Sequence, residues 1–145
     1  MTFDFRPATA ADFEALLDLS VRVMRLHLER VGRWDPARRR ARMEAAFAGG
    51  GMRVIEAEGL TLGCVGVEPA GPVVALHSLY LEPARQGRGL GAAVVARLLA
   101  EHPGQGFRIE VLKASPARRF WERQGFLLVE EQPYDWVLAF PAASA

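Results

Sequence analysis

The chain has 145 residues, 18 of them Lys or Arg and 17 Asp or Glu, for a formal net charge of +1. That length suits one domain, and a hydrophobic content of 50% excludes a disordered chain. The charge balance argues against a general nucleic-acid binder, and one cysteine against a disulfide scaffold or a thiolate zinc site. No stretch approaches the ~20 apolar residues of a membrane helix. The opening MTFDFRPATA lacks the apolar segment of a secretory signal, so the expected compartment is the cytoplasm. Seventeen of the basic residues are Arg, Asn is absent, and Ala and Gly abound. This composition fits GC-rich coding and a bacterial source.

The predicted elements run without a repeat or linker over residues 1–140, with residues 141–145 as a fraying tail. Phe3 to Arg6 alternate as a short strand that stops at Pro7. Thr9 and Asp12 form a capping-box-like start, and Phe13, Leu16, Leu17, Ser20, Val23, Met24 and His27 share one helical face. A second helix starts at Asp35, with Pro36 in its first turn, and ends at Gly49-Gly50-Gly51. Met52–Ala57, Leu60–Val67 and Val73–Leu81 read as strands joined by tight turns. A helix from Gly89 to Glu101, a strand from Phe107 to Leu112 and a short helix from Ser115 to Gln124 follow. Phe126–Glu130 and Tyr134–Phe140 are the last strands. The order β-α-α-β-β-β-α-β-α-β-β predicts an α/β domain with a mixed sheet, Val73 to Leu112 forming a parallel crossover.

The most informative segment is Leu79-Tyr80-Leu81-Glu82-Pro83-Ala84-Arg85-Gln86-Gly87-Arg88-Gly89-Leu90-Gly91, between a strand and a helix. Its glycines let backbone N–H groups approach a ligand. The helix start adds unpaired N–H groups and partial positive charge, which suits a phosphate or pyrophosphate. Gly87, Gly89 and Ala92 also fit G-x-G-x-x-[GA], with Glu110 near the ribose-acid offset. A dinucleotide fold needs the glycines tight against the strand, whereas Glu82 to Gln86 intervene and only 54 residues follow Gly91. No Gly-Lys-[Ser/Thr] of a Walker A loop occurs.

Gln86-x-x-Gly89-x-Gly91 after a strand resembles the [RQ]-x-x-G-x-[GA] acetyl-coenzyme A loop of the GNAT N-acetyltransferases. Ser115-Pro116-Ala117-Arg118-Arg119-Phe120-Trp121-Glu122-Arg123-Gln124-Gly125-Phe126 is similar to that family's second motif. The resemblance spans nearly the whole chain in element order. It implies a β-bulge that splays the central strand from its parallel neighbour and admits the pantetheine arm. It also implies acetyl transfer to a primary amine by direct attack, with acetyl-CoA as co-substrate and no metal. A CoA-binding sensor with little catalysis is the alternative. Backbone groups at Leu79 and Leu81 would hold the acetyl carbonyl and pantetheine, one N–H acting as oxyanion donor. Gly87, Arg88, Gly89, Leu90, Gly91 and Ala92 would hold the pyrophosphate behind Gln86, and Ser115, Arg118 and Trp121 would complete the cofactor side.

Two positions depart from the family pattern. Ser115 replaces the usual Asn and keeps one hydroxyl to cap the helix. Trp121 replaces a Tyr that often protonates the thiolate, and an indole N–H is no practical acid. Tyr134 or water takes that role, while Trp121 packs. Amine attack also needs a base. His77, four residues before Leu81, stands where arylalkylamine N-acetyltransferases place a His, and imidazole suits proton relay at neutral pH. Glu82 is the second candidate base.

Arg22 to Arg42 holds eight Arg and two acids. It reads as a solvated helix face, with an anionic acceptor as the functional alternative. Trp34 and Asp35 offer an aromatic face and a carboxylate for a cationic amine; otherwise Trp34 packs and Asp35 caps. Cys64 reads as core, without an acetyl-cysteine role. The expected partner is a small-molecule or peptide amine, with no nucleic acid or membrane. The protein would be a monomer or a homodimer, with a free strand edge near Tyr134–Phe140.

Overall fold

The computed structural model describes residues 2–143. One seven-stranded sheet is built from β1 (Asp4–Pro7), β2 (Met52–Ala57), β3 (Leu60–Ala70), β4 (Val73–Leu81), β5 (Gly106–Leu112), β6 (Leu127–Glu131) and β7 (Asp135–Phe140). Its spatial order is β1-β2-β3-β4-β5-β7-β6. Only β4 and β5 pair in parallel; the rest are antiparallel. The helices are α1 (Phe13–Arg30), α2 (Pro36–Ala48), α3 (Leu90–Glu101) and α4 (Ala117–Arg123). This is the expected mixed α/β domain in the expected order.

Pro7 belongs to β1 rather than stopping it, because an edge strand needs no donor there. A 3-10 turn at Ala10–Asp12 precedes α1. It is held by the Asp12 carboxylate, which accepts from the Thr9 N–H at 2.7 Å and from two Arg6 nitrogens at 2.9 Å each. β3 runs to Ala70, leaving only Gly71 and Pro72 in the turn. Gly71 has φ 67°, the positive value that Gly-first hairpins require.

The sheet separates two cores. On one face α1 and α2 lay Leu16, Leu19 and Met43 over Met52, Val54 and Cys64. On the other, Leu90, Val94, Val95 and Leu98 of α3, spaced at helical period, meet Val65, Val74, Leu76 and Ile109.

The free edge expected near Tyr134–Phe140 lies elsewhere: β7 sits between β5 and β6. Val137 and Leu138 point to opposite faces and are fully buried, so β7 needs cover on both sides. β6, exposed at Leu127, Leu128 and Val129, is the edge. In the expected tail the Ala143 N–H donates to Gly104 O at 3.0 Å; Ser144 and Ala145 lie outside the described residues.

Candidate active site

The site starts from a fault in β4. Ser78 has φ 53°, in the left-handed region that a residue with a Cβ avoids. Cys64 pairs with Tyr80 but Gly66 pairs with His77, so Ser78 and Leu79 together oppose only Val65. The bulge shifts the alternation. Before it Ala75 and His77 face α1 and α2; after it Tyr80 does, while Leu79 and Leu81 turn toward α3. The parallel ladder with β5 ends at Leu76–Ile109. Beyond that point the two strands diverge around a cavity of about 550 Å³. His77 to Tyr80 line one wall, Glu110 to Leu112 another, and α2 closes a side with Arg39, Arg42 and Met43.

His77 is half-buried on this wall. Its Nδ1 lies 2.9 Å from Ser78 Oγ and its Nε2 lies 3.5 Å from Glu68 Oε1. Serine orients one ring nitrogen and a carboxylate lies near the other, which places the imidazole at the cavity wall as the candidate proton acceptor. Tyr80 stands three residues further on the same face, its hydroxyl accepting from Arg39 Nη1 at 2.9 Å.

At the end of β4 the Gln86 amide folds back and donates to Leu81 O at 3.0 Å. Gly87 (φ 74°) and Gly89 (φ 80°) hold the turn in the left-handed region, with open space where a Cβ would be. Gly89 caps α3 without a side-chain cap. The first intrahelical bond here is Ala93 N–H to Gly89 O, at 3.1 Å, so the N–H groups of Leu90, Gly91 and Ala92 are free to point at an anion. Gly91 allows α4 to approach: a Cβ there would sit 3.0 Å from the Phe120 ring. Arg85 and Arg88 flank the turn and form no ion pair among the described residues. Backbone donors, room and unpaired cations fit a pyrophosphate.

Ser115 lines the main cavity, and its Oγ accepts from the Ala117 N–H at 3.0 Å, starting α4. Trp121 is 3% exposed and packs edge-on against Phe120 and Phe126. Arg118 pairs with Glu122 at 3.5 Å and lies over the Trp136 ring.

The remaining candidates lie apart from His77. Arg22 grips Glu82 at 2.6 and 3.1 Å, which holds that carboxyl below its ordinary pKa. Tyr134 lies under Arg33 and lines only a smaller adjoining cavity. Asp35 lines the same small cavity and caps α2, accepting from the N–H groups of Ala37 and Arg38. Trp34 lines neither cavity and carries Arg25 over its ring. Cys64 is fully buried; burial pushes its thiol pKa up to about 12.

Sequence reasoning missed Tyr80 and Arg39. Arg39 is one of three consecutive Arg, and only its i, i+4 spacing to the buried Met43 marks it as inward-facing. The solvated helix face expected for this cluster holds for Arg22, Arg25 and Arg40, which pair with surface carboxylates. It fails for Arg39, which is 7% exposed.

A profile described as Acetyltransferase (GNAT) family matches residues 15–126. The chain belongs to the GNAT acetyltransferase family. No curated protein matches the sequence. The GNAT fold recurs in an acetyltransferase from Thermus thermophilus (TM-score 0.78, 20% identity, 97% of each chain covered). It recurs in the PaiA N-acetyltransferase from Thermoplasma acidophilum, solved in complex with coenzyme A (TM-score 0.73, 14% identity, 99% of this chain and 100% of that one). N-acetylglutamate synthase from Neisseria gonorrhoeae, solved with coenzyme A and L-arginine, is similar over 98% of this chain and 34% of its own (TM-score 0.68, 14% identity). At such identities the likeness carries the fold. Membership of the GNAT family supports acyl transfer and coenzyme A binding in general terms. Among the described residues of this GNAT domain, no helix is long and apolar enough to cross a membrane.

Proposed function

We propose that this GNAT domain moves an acetyl group from acetyl-CoA to a primary amine by direct attack within a ternary complex. The observation that carries the reading is the Ser78 bulge, which parts β4 from β5 and opens one cavity beside His77. Gly87 to Ala92 hold the pyrophosphate through backbone N–H groups, with Arg88 beside them and Gln86 bracing Leu81. The unladdered edge at Leu79 and Leu81 takes the pantetheine arm, and an N–H there stabilises the oxyanion, an interaction typically worth ~3–4 kcal/mol of barrier. Acetyl-CoA supplies the activated thioester.

The amine attacks, and a C–N bond forms as the thioester C–S bond breaks. His77 accepts the amine proton, with Glu68 nearby to balance the imidazolium. Water protonates the departing thiolate, whose ordinary pKa is ~8.5, because Trp121, though it borders the main cavity, offers only an indole N–H, and Tyr134 opens into the smaller cavity. Holding both reactants in one cleft supplies much of the rate.

Trp121, where an acid often stands in the family, favours a second reading: a CoA-binding sensor with little catalysis. Free-thiol release from acetyl-CoA across amines, polyamines, amino acids and peptide N-termini separates the two. Turnover with one class supports the enzyme. Coenzyme A binding without any thiol release supports the sensor. No thermal shift with acetyl-CoA removes both.

A further inference from the structure

Arg39 is a buried cation without a counter-charge. It is 7% exposed, it forms no ion pair among the described residues, and its Nε is buried with no partner. Among the described residues its sole side-chain hydrogen bond goes to the Tyr80 hydroxyl. A buried guanidinium without a carboxylate is strongly unfavourable, and Arg does not relieve this by losing its proton. The packing of α2 against β4 nevertheless holds it on the wall of the main cavity and of the small cavity beside it.

Arg42, one turn along α2, is exposed, lines both cavities and forms no ion pair among the described residues. The main cavity carries Arg39, Arg42 and Arg108 against Glu68, Glu110 and Asp135, and the small cavity adds Arg33 and Arg38 against Asp35, so the excess of one positive charge lies where the two cavities adjoin. Asp35 is engaged as the α2 cap, and Glu110 faces Arg108 at 3.8 Å. A singly charged anion there would offset that charge and meet the cavity-facing end of the Arg39 guanidinium. A planar carboxylate matches the guanidinium fork.

We infer that the acceptor is a small amine bearing a carboxylate, which Arg39 and Arg42 hold while its amine faces His77. This rests on the acetyl-transfer reading and names its substrate class. Trp34 then has no part in the pocket, and selectivity comes from the anion at the far end of the acceptor.

The test compares amino acids with their own carboxamides, and aminoalkylphosphonates of matching length, as acceptors in thiol release from acetyl-CoA. For the best amino acid, kcat/KM exceeds that of its amide at least tenfold. Arg39→Met and Arg42→Met each cut that ratio below threefold, whereas Arg39→Lys retains part of it. An amide within threefold of its acid across the panel overturns the inference. So does a ratio that survives both Met variants, or a preference for the phosphonate. Should Arg39→Met fail to fold, Arg42→Met and Arg39→Lys carry the comparison. Calorimetry with the same pairs on the coenzyme A-saturated protein needs no turnover. Carboxylate-selective binding lost in Arg42→Met supports the pocket even where no acetyl transfer occurs, and that result overturns only the acetyl-transfer reading. Neither turnover nor selective binding overturns both.

Discussion

Gly66 on β3 lies against the imidazole of His77 on β4, and a Cβ built at residue 66 would overlap the ring. The pair is a direct cross-strand partnership at the foot of the bulge. Glycine at 66 is therefore what lets the ring lie across the sheet toward Glu68 and Ser78. Gly66→Ala is expected to keep the fold, since the His77 ring swings outward to relieve the overlap. Overpacking of this kind costs about 1–3 kcal/mol. The same variant and His77→Ala should each lower kcat at least tenfold, and both should lose the acid limb of the pH–rate profile. Wild-type kcat in both variants, measured by thiol release, would remove His77 from proton transfer.

Gly89 caps α3 at φ 80°, so Gly89→Ala carries strain of roughly 1–2 kcal/mol and tilts the N–H groups of Leu90 to Ala92. Calorimetric titration should find coenzyme A binding weakened at least tenfold, with a drop in Tm of only a few degrees. Equal affinity in the two proteins would take the pyrophosphate away from this turn.

Asp12 is held well below the ordinary carboxyl pKa, first by hydrogen bonds from Arg6 and then by the Thr9 N–H. A depressed carboxyl contributes stability that is full above its unfolded value, ~3.9, and is lost as pH falls through the folded one. Asp12→Ala should therefore cost about 1 kcal/mol at pH 7, the usual worth of such a cap, with the partly exposed ion pair adding little. The gap between variant and wild type should close progressively below about pH 4. Thermal melts from pH 7 down to pH 2 read this directly, and a gap independent of pH would contradict it.

Cys64 is buried with its thiol pushed up to about 12, and donates to Ser78 O at 3.4 Å. Iodoacetamide should leave it unlabelled in the native protein and label it in denaturant. Cys64→Ala should retain turnover, because direct transfer needs no acetyl-cysteine. Activity lost to a native-state alkylation at Cys64 would argue for a covalent route.

The sequence by itself determined the order of elements, because strand and helix periods, the Asp35 cap and the glycine turns are local features. It also located the glycine turn proposed to hold the pyrophosphate, since free N–H groups at a glycine-led helix start need only a short run of residues. Tertiary structure alone decided the rest. β7, not β6, lies inside the sheet because burial on two faces depends on what stands at either side of it. The β4 bulge depends on Val65 of another strand, and it alone brings His77 and Tyr80 to one face. Among eight Arg between Arg22 and Arg42, the packing of α2 selected Arg39 for burial, set Arg42 beside it on the cavity wall, and left Arg22, Arg25 and Arg40 to surface carboxylates. The charge balance of 18 against 17 is a sum over the chain, whereas an unpaired cation in a cleft is a matter of position.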